Sequence, residues 1–233
     1  MVTLRVRVLP LLAAIAFAGT VPECRAGEKI ALEISKIFFE YNSSANDLGV
    51  QVSLDGEDWK KLRIVNPKHR TIFAVTGKGP YKNLGLTELF FEGAEPTLSE
   101  VPLEELFALF PEGPYDFKGK TVDGATLRGT GTLSHAIPAG PTVSAVLGPG
   151  NSLVIGWTTV TGPPVGFPAR PISIVGYQVI VGDFQVTVPA TTTMVTVSPE
   201  FVASLAPGTQ DFEVLAIDAS ANQTITEGTF LKP

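Results

Sequence analysis

The chain of 233 residues has a single cysteine, Cys24, and two histidines, His69 and His135, which lie far apart. No cysteine or second histidine stands at ligand spacing from either, so a zinc or iron centre has no sequence support. Charged residues make up 17% of the chain and leave a net charge of −6. Such a balance argues against a nucleic-acid or anionic-membrane partner captured by bulk electrostatics. No apolar run approaches the roughly 20 residues of a spanning helix, so no stable membrane insertion is expected once a leader is removed. There is no Gly-x-Ser-x-Gly elbow and no glycine loop of the phosphate-cradling kind, so nucleophilic and nucleotide chemistry lack their usual signatures. No cofactor is expected.

Turn-forming residues are abundant, with 23 glycines and 19 prolines. They suggest many turns between short strands. At the start, Arg5 and Arg7 precede an apolar stretch from Val8 to Ala18, followed by Ala16-Phe-Ala18 and Cys24-Arg-Ala26. A basic start, a short apolar middle and small residues at the cleavage positions form a secretory signal peptide, which predicts a protein secreted to the periplasm or beyond the cell. Cleavage after Ala26 would leave no cysteine and hence a fold that depends on its core alone.

Composition changes near Pro138. Residues 27–138 carry 12 Lys+Arg and 16 Asp+Glu, whereas residues 139–233 carry 2 and 6. The Pro/Gly-rich segment Ile137-Pro-Ala-Gly-Pro141 marks a boundary between two domains. In the first, Lys36–Tyr41, Leu48–Leu54, Trp59–Val65, Arg70–Val75 and Leu86–Glu92 read as strands, with turns at Asp55-Gly56 and Asn66-Pro67. A helix is predicted over 102–110: Pro102 suits its first position, Glu104 and Glu105 its first turn, and Leu103, Leu106, Phe107 and Phe110 form one apolar stripe. A hairpin around Asp123-Gly124 closes the region. The expected fold class is mainly β, a β-rich N-terminal domain with one short helix followed by a seven-stranded immunoglobulin-like sandwich.

The sandwich rests on seven runs rich in Val, Ile and Thr, namely 142–147, 153–158, 174–181, 184–188, 193–197, 210–217 and 224–230. Trp157 ends the second run, Tyr177 lies in the third, and Leu205-Ala-Pro-Gly-Thr209 precedes Phe212-Glu-Val-Leu-Ala216. In these residues the C-terminal 95 or so positions resemble a fibronectin type III domain, with its core Trp on strand B, Tyr on strand C and Leu-x-Pro-x-Thr corner before strand F. Phe212 departs from that pattern. It replaces the corner tyrosine one residue late, without a hydroxyl to bond the backbone. The resemblance implies extracellular binding, spacing or adhesion, with a protein or glycan as partner.

Candidate sites are sparse. Asn46, Asp47, Asp55, Glu57 and Asp58 are the densest group of hard oxygen ligands and are the calcium candidates, although their spacing does not match the EF-hand. Phe167 and Arg170, on the long loop 158–173, are residue types common at binding hot spots. Trp59, Tyr81 and Phe167 are candidates for stacking on sugar rings. Asn42-Ser-Ser and Asn222-Gln-Thr match the glycosylation sequon. From Lys60 to Lys82 stand seven basic residues and no acid; from Glu88 to Glu112, seven acids and no base. These blocks either neutralise each other in the fold or form a dipolar surface that steers a charged partner or a second copy. The expected function is non-enzymatic extracellular binding, adhesion or spacing. The alternatives are a carbohydrate-binding accessory module and a hydrolase built from distant carboxylates.

Overall fold

A computed structural model describes residues 27–233; the leader and both cleavage positions lie outside the described residues. The structure is mainly β. Its N-terminal region comprises β1 (Lys29–Ala31), β2 (Ile34–Asn42), β3 (Asp47–Val65), β4 (Thr71–Thr76), α1 (Pro80–Leu84), β5 (Leu86–Glu92), α2 (Leu103–Leu109), β6 (Gly113–Thr121) and β7 (Thr126–Leu133). The element α1 is a single short turn that the sequence pattern does not announce, whereas α2 coincides with the predicted helix.

β3 is the organising strand. Along one edge, β2 pairs its residues 47–55 and β6 its residues 59–65. Along the other, β5 pairs residues 51–59 and β4 residues 61–65. The hairpin expected at Asp55-Gly56 does not form, because each half of β3 has its own partners and the strand continues through. Register shifts between Asp55 and Trp59, and between Trp59 and Lys61, mark bulges that restore the inward aim of the apolar side chains. Leu54 and Trp59, on either side, are both fully buried. The sheet then rolls until β7 lies on β2. A Cβ on Gly131 would stand 2.7 Å from the Ser35 carbonyl oxygen, so only glycine permits this approach. The enclosed core includes Ile37, Phe39, Val52, Ile64, Tyr115 and Phe117, and α2 packs on it through Leu106.

The C-terminal region is a sandwich. β8 (Val143–Leu147), β9 (Leu153–Trp157) and β12 (Met194–Val197) form a three-stranded sheet in the order β12-β9-β8. Facing it are β14 (Gln223–Lys232), β13 (Gly208–Asp218), β10 (Ile174–Val181) and β11 (Phe184–Pro189), hydrogen-bonded in that order. A short helix, α3 (Pro199–Ser204), bridges the two layers and is capped by Ser198, whose side chain accepts from the Phe201 N–H. The second core gathers Ile155, Trp157, Tyr177, Val179, Val214 and Phe230, with the Trp157 and Tyr177 rings 5.4 Å apart. Tyr177 Oη accepts from the Val160 N–H. Phe212 is buried, and its ring lies where a Cβ on Gly228 would project.

The large sheet passes between the two cores. Residues 223–225 of β14 pair in parallel with residues 40–42 of β2. Beside that ladder Asn222 is fully buried: its Oδ1 accepts from the Phe39 N–H at 2.8 Å, and its Nδ2 donates to the Ser134 and Ala136 carbonyls at 2.8 and 2.9 Å. A buried amide with these bonds is a structural tie, so the Asn222 sequon has no access to glycosylation in this fold. Phe167 packs its ring on Tyr41 at 5.0 Å, and Arg170 forms an ion pair with Glu112 at 3.0 Å. The long loop of the sandwich therefore docks on the N-terminal region.

Candidate functional site

The outer face of the rolled sheet carries an ordered basic array. Cross-strand register places Lys61 opposite Thr76 on β4 and Lys120 on β6, with Lys120 opposite Thr126 on β7. One row further along, Arg63 stands opposite Ala74 and Lys118, and Lys118 opposite Arg128. Lys61, Arg63, Lys120 and Arg128 are exposed. Directly opposed like charges destabilise a sheet, on the scale of about 0.2–1 kcal/mol for such pairs. Three occur here, at Lys61–Lys120, Arg63–Lys118 and Lys118–Arg128. Among the described residues the array has one ion-paired acid, Asp116, bonded to Lys118 at 2.7 Å. That hydrogen bond holds the Asp116 carboxyl below the ordinary range.

Between these rows lies a groove of about 540 Å³ in which Ala74 is exposed, while the side chains of Leu62 and Val75 beneath it turn into the core. A second groove of about 530 Å³ shares Lys61 and Thr76 with it and continues past Lys60 and Lys78 to Lys82. No carboxylate and no aromatic ring lines either groove. Lys60 and Lys120 are partly committed within the fold, donating to the Val122 and Gly124 carbonyls.

The opposite charge gathers over the other half of β3 and across the junction. Carboxylate oxygens of Glu40, Glu92 and Glu95 lie within 4.8 Å of one another. Burial raises the Glu40 pKa, with Glu92 and Glu213 adding to the rise. Partial burial, a shared hydrogen bond with Glu92 and the nearby Glu40 and Asp47 raise Glu95 to about 7. Asp47 is raised by burial and Glu227, and Glu213 by burial, Glu227 and Asp211. The charge relief comes from neutral amides: Gln51 donates to Glu40 and Glu92, and Gln223 to Glu40. None of these carboxylates forms an ion pair among the described residues. With its oxygens already accepting from two amides, Glu40 is a poor start for the six to eight oxygens that calcium requires.

The calcium candidates do not converge. Asp47 and Asp55 are separated by eight residues of one extended strand, 8 × ~3.3 ≈ 26 Å, so they cannot share an ion. Asp55 Oδ1 instead accepts from the Gly56 N–H, and Asn46 Oδ1 accepts from the Tyr41 hydroxyl, while Glu57 is exposed and Asp58 half-buried beside the bulge. Trp59 is fully buried and has no ring face to offer a sugar. Phe167 and Arg170 are engaged within the chain. Tyr81 is 55% exposed, next to Lys82. No ion pair joins the Lys60–Lys82 block to the Glu88–Glu112 block among the described residues. The sequence reading missed Lys118, Lys120 and Arg128. Their signal was present: an Asp123-Gly124 hairpin closed between Lys120 and Thr126 sets Lys118 opposite Arg128.

No protein-family model matches the chain, and no curated protein matches it. Several solved structures align with it at low similarity. A spore cortex lytic enzyme of Clostridium perfringens, SleM, is 17% identical over 42% of this chain and 28% of that one, with a TM-score of 0.31. A segment of two fibronectin type III domains from chicken tenascin is 12% identical over 86% of this chain and 99% of that one, with a TM-score of 0.29. A tetra-tandem repeat from the extending region of a large adhesion protein is 12% identical over 86% of this chain and 50% of that one, at 0.31. The chain thus spans under a third of the SleM chain and half of the adhesin repeat. The strand order and register of the sandwich define its architecture independently of these low-similarity matches.

Proposed function

We propose that the chain is a secreted, non-enzymatic binding and spacer protein whose N-terminal region grips an anionic extracellular partner while the fibronectin type III-like sandwich holds it at a fixed distance. One observation carries this reading. Five cations stand in register on one sheet face, against the cross-strand preference, on a chain whose net charge is −6. The parallel pairing of β14 with β2 supports the spacer part, because a shared ladder leaves no free hinge between the two cores. The protein or glycan partner and the accessory role in a carbohydrate-active system are both compatible with such a face.

The test is retention of the full chain on immobilised extracellular glycans and matrix proteins at low and physiological salt. Retention on at least one anionic matrix, without turnover of it, and loss of retention in Arg63→Glu/Arg128→Glu, support the reading. Retention unaffected by that double substitution, or cleavage of the bound matrix, overturns it.

A further inference from the structure

We infer that the ligand of the basic face is a linear anionic polysaccharide lying across β7, β6, β3 and β4. This inference rests on the binding function proposed above and adds the chemistry of the ligand. Adjacent strands are spaced by about 4.8 Å, so Arg63, Lys118 and Arg128 repeat at that interval across the sheet, and the Lys61–Lys120 row follows roughly 7 Å along the strands. A small anion would engage one station of this ladder and leave the others opposed. A polymer carrying charge at regular intervals engages several at once and removes the repulsion row by row. Arg63 and Arg128 present planar forks that match carboxylate or sulfate groups, with the point charge of Lys118 between them. The second groove joins the first at Lys61 and Thr76, so the cationic path continues to Lys78 and Lys82.

Between the charges the lining suits a sugar chain. Ala74, exposed opposite Arg63, offers a small apolar contact to pyranose C–H faces, and the hydroxyls of Thr76 and Thr126 stand at one row's ends. A nucleic acid is less well served, because neither groove contains an aromatic ring on which bases could stack. The acidic stripe of a second copy is the remaining candidate for the face, and the experiment separates it.

Binding of the full chain is measured against size-defined oligogalacturonates, dextran sulfate, neutral dextran, inorganic polyphosphate and duplex DNA, with molar mass by light scattering in parallel. The expected result is binding to the carboxylated or sulfated polysaccharide and none to neutral dextran. Affinity should rise at least tenfold from disaccharide to an oligomer long enough to cross four strands. Arg63→Glu and Arg128→Glu should each weaken binding about tenfold or more, with Arg128→Lys intermediate, and each variant should keep the parent's far-ultraviolet spectrum and melt no lower than the parent. Length-independent binding, or tighter binding of polyphosphate or DNA than of every polysaccharide, overturns the inference while leaving an anion-binding face intact. A salt-sensitive rise in molar mass, abolished by the same variants and unaccompanied by polysaccharide binding, assigns the face to self-association and also overturns it. Failure of every anionic probe and of self-association removes the proposed function as well.

Discussion

The two regions of this molecule use their surfaces differently. The sandwich spreads 8 charged residues over positions 139–233, and its strands close around a single core. The N-terminal region packs an equally complete core but arranges its outer face against electrostatic preference, with cations opposed in register at one end of β3 and raised carboxylates at the other. Folding requires no such arrangement, since neutral polar residues would satisfy the same exposed positions. A face that costs stability and is nonetheless built is what the proposed contact with an anionic partner would explain, and the sandwich carries no comparable row of opposed charges among its strands.

The comparison breaks most completely at Asn222. If the shared ladder makes one cooperative unit, the full chain should unfold in a single denaturant transition by both tryptophan fluorescence and far-ultraviolet signal. Replacing Asn222 by Ala leaves the Phe39 N–H and the Ser134 and Ala136 carbonyls without their buried partner, at about 1–3 kcal/mol each. A loss of at least about 3 kcal/mol is expected, with the transition separating into two. Two transitions in the parent chain would show that the regions were never coupled.

Glycine replacements should distinguish the two cores next. In Gly131→Ala the new methyl meets the Ser35 backbone carbonyl, which cannot turn aside without opening the contact of β7 with β2. In Gly228→Ala it meets the Phe212 ring, a side chain with some freedom to tilt. Overpacking costs typically run about 1–3 kcal/mol, so the first should fall toward the upper end and the second toward the lower. Thermal melts of the two variants check the order, and an inverted order would mean that the roll of the N-terminal sheet yields more easily than the sandwich.

How much of this could be read from the sequence follows the same division. The seven strands of the sandwich were legible because alternation and turn residues are local signals, and Ile174–Val181 begins and ends where the pattern does. The helix at Leu103–Leu109 was legible for the same reason. The path of β3 was not. Asp55-Gly56 has the chemistry of a hairpin turn, and only the division of the strand's edges among β2, β5, β6 and β4 makes it a bulge. Asn222 showed only as a sequon match, because nothing nearby in sequence announces that residues 86 to 183 positions away complete its hydrogen bonds. Half of the candidate site was visible as the Lys60–Lys82 block. The other half required register, which converts two separated strand segments into one array.

Smaller effects sharpen the contrast on the surface itself. Arg63→Gln removes one of the three opposed cation pairs and should raise stability by a few tenths of a kcal/mol in dilute buffer, shrinking as added salt screens the charges. Gln178→Glu on the outer face of the sandwich, where no such array exists, should change stability little at any salt. Urea midpoints at two ionic strengths decide this. Equal responses would mean that the basic face carries no stored repulsion.

The acidic end of β3 should respond to pH with a defined sign. Glu95 is raised to about 7 by partial burial and by Glu92, and Glu40, Asp47 and Glu213 are raised in the same direction. The folded state therefore binds protons more tightly than the unfolded chain at these positions. The Glu95 contribution to stability is fully present below its unfolded value near 4.5 and is lost as pH rises through about 7, and Glu40, Asp47 and Glu213 act with the same sign. The melting temperature should accordingly climb as pH falls from 8 to 5, opposite to the trend set by carboxylates in ion pairs. Glu95→Gln should flatten most of that slope, while Glu200→Gln, in the sandwich and lowered by a hydrogen bond from its own backbone N–H and one from the Ser198 side chain, should leave it in place. If the slope survives Glu95→Gln, the repulsion is shared along the whole stripe rather than concentrated where β5 meets β3. The stripe would then act as one titrating surface that spans both regions, and the sandwich would have to be counted as part of the charged face.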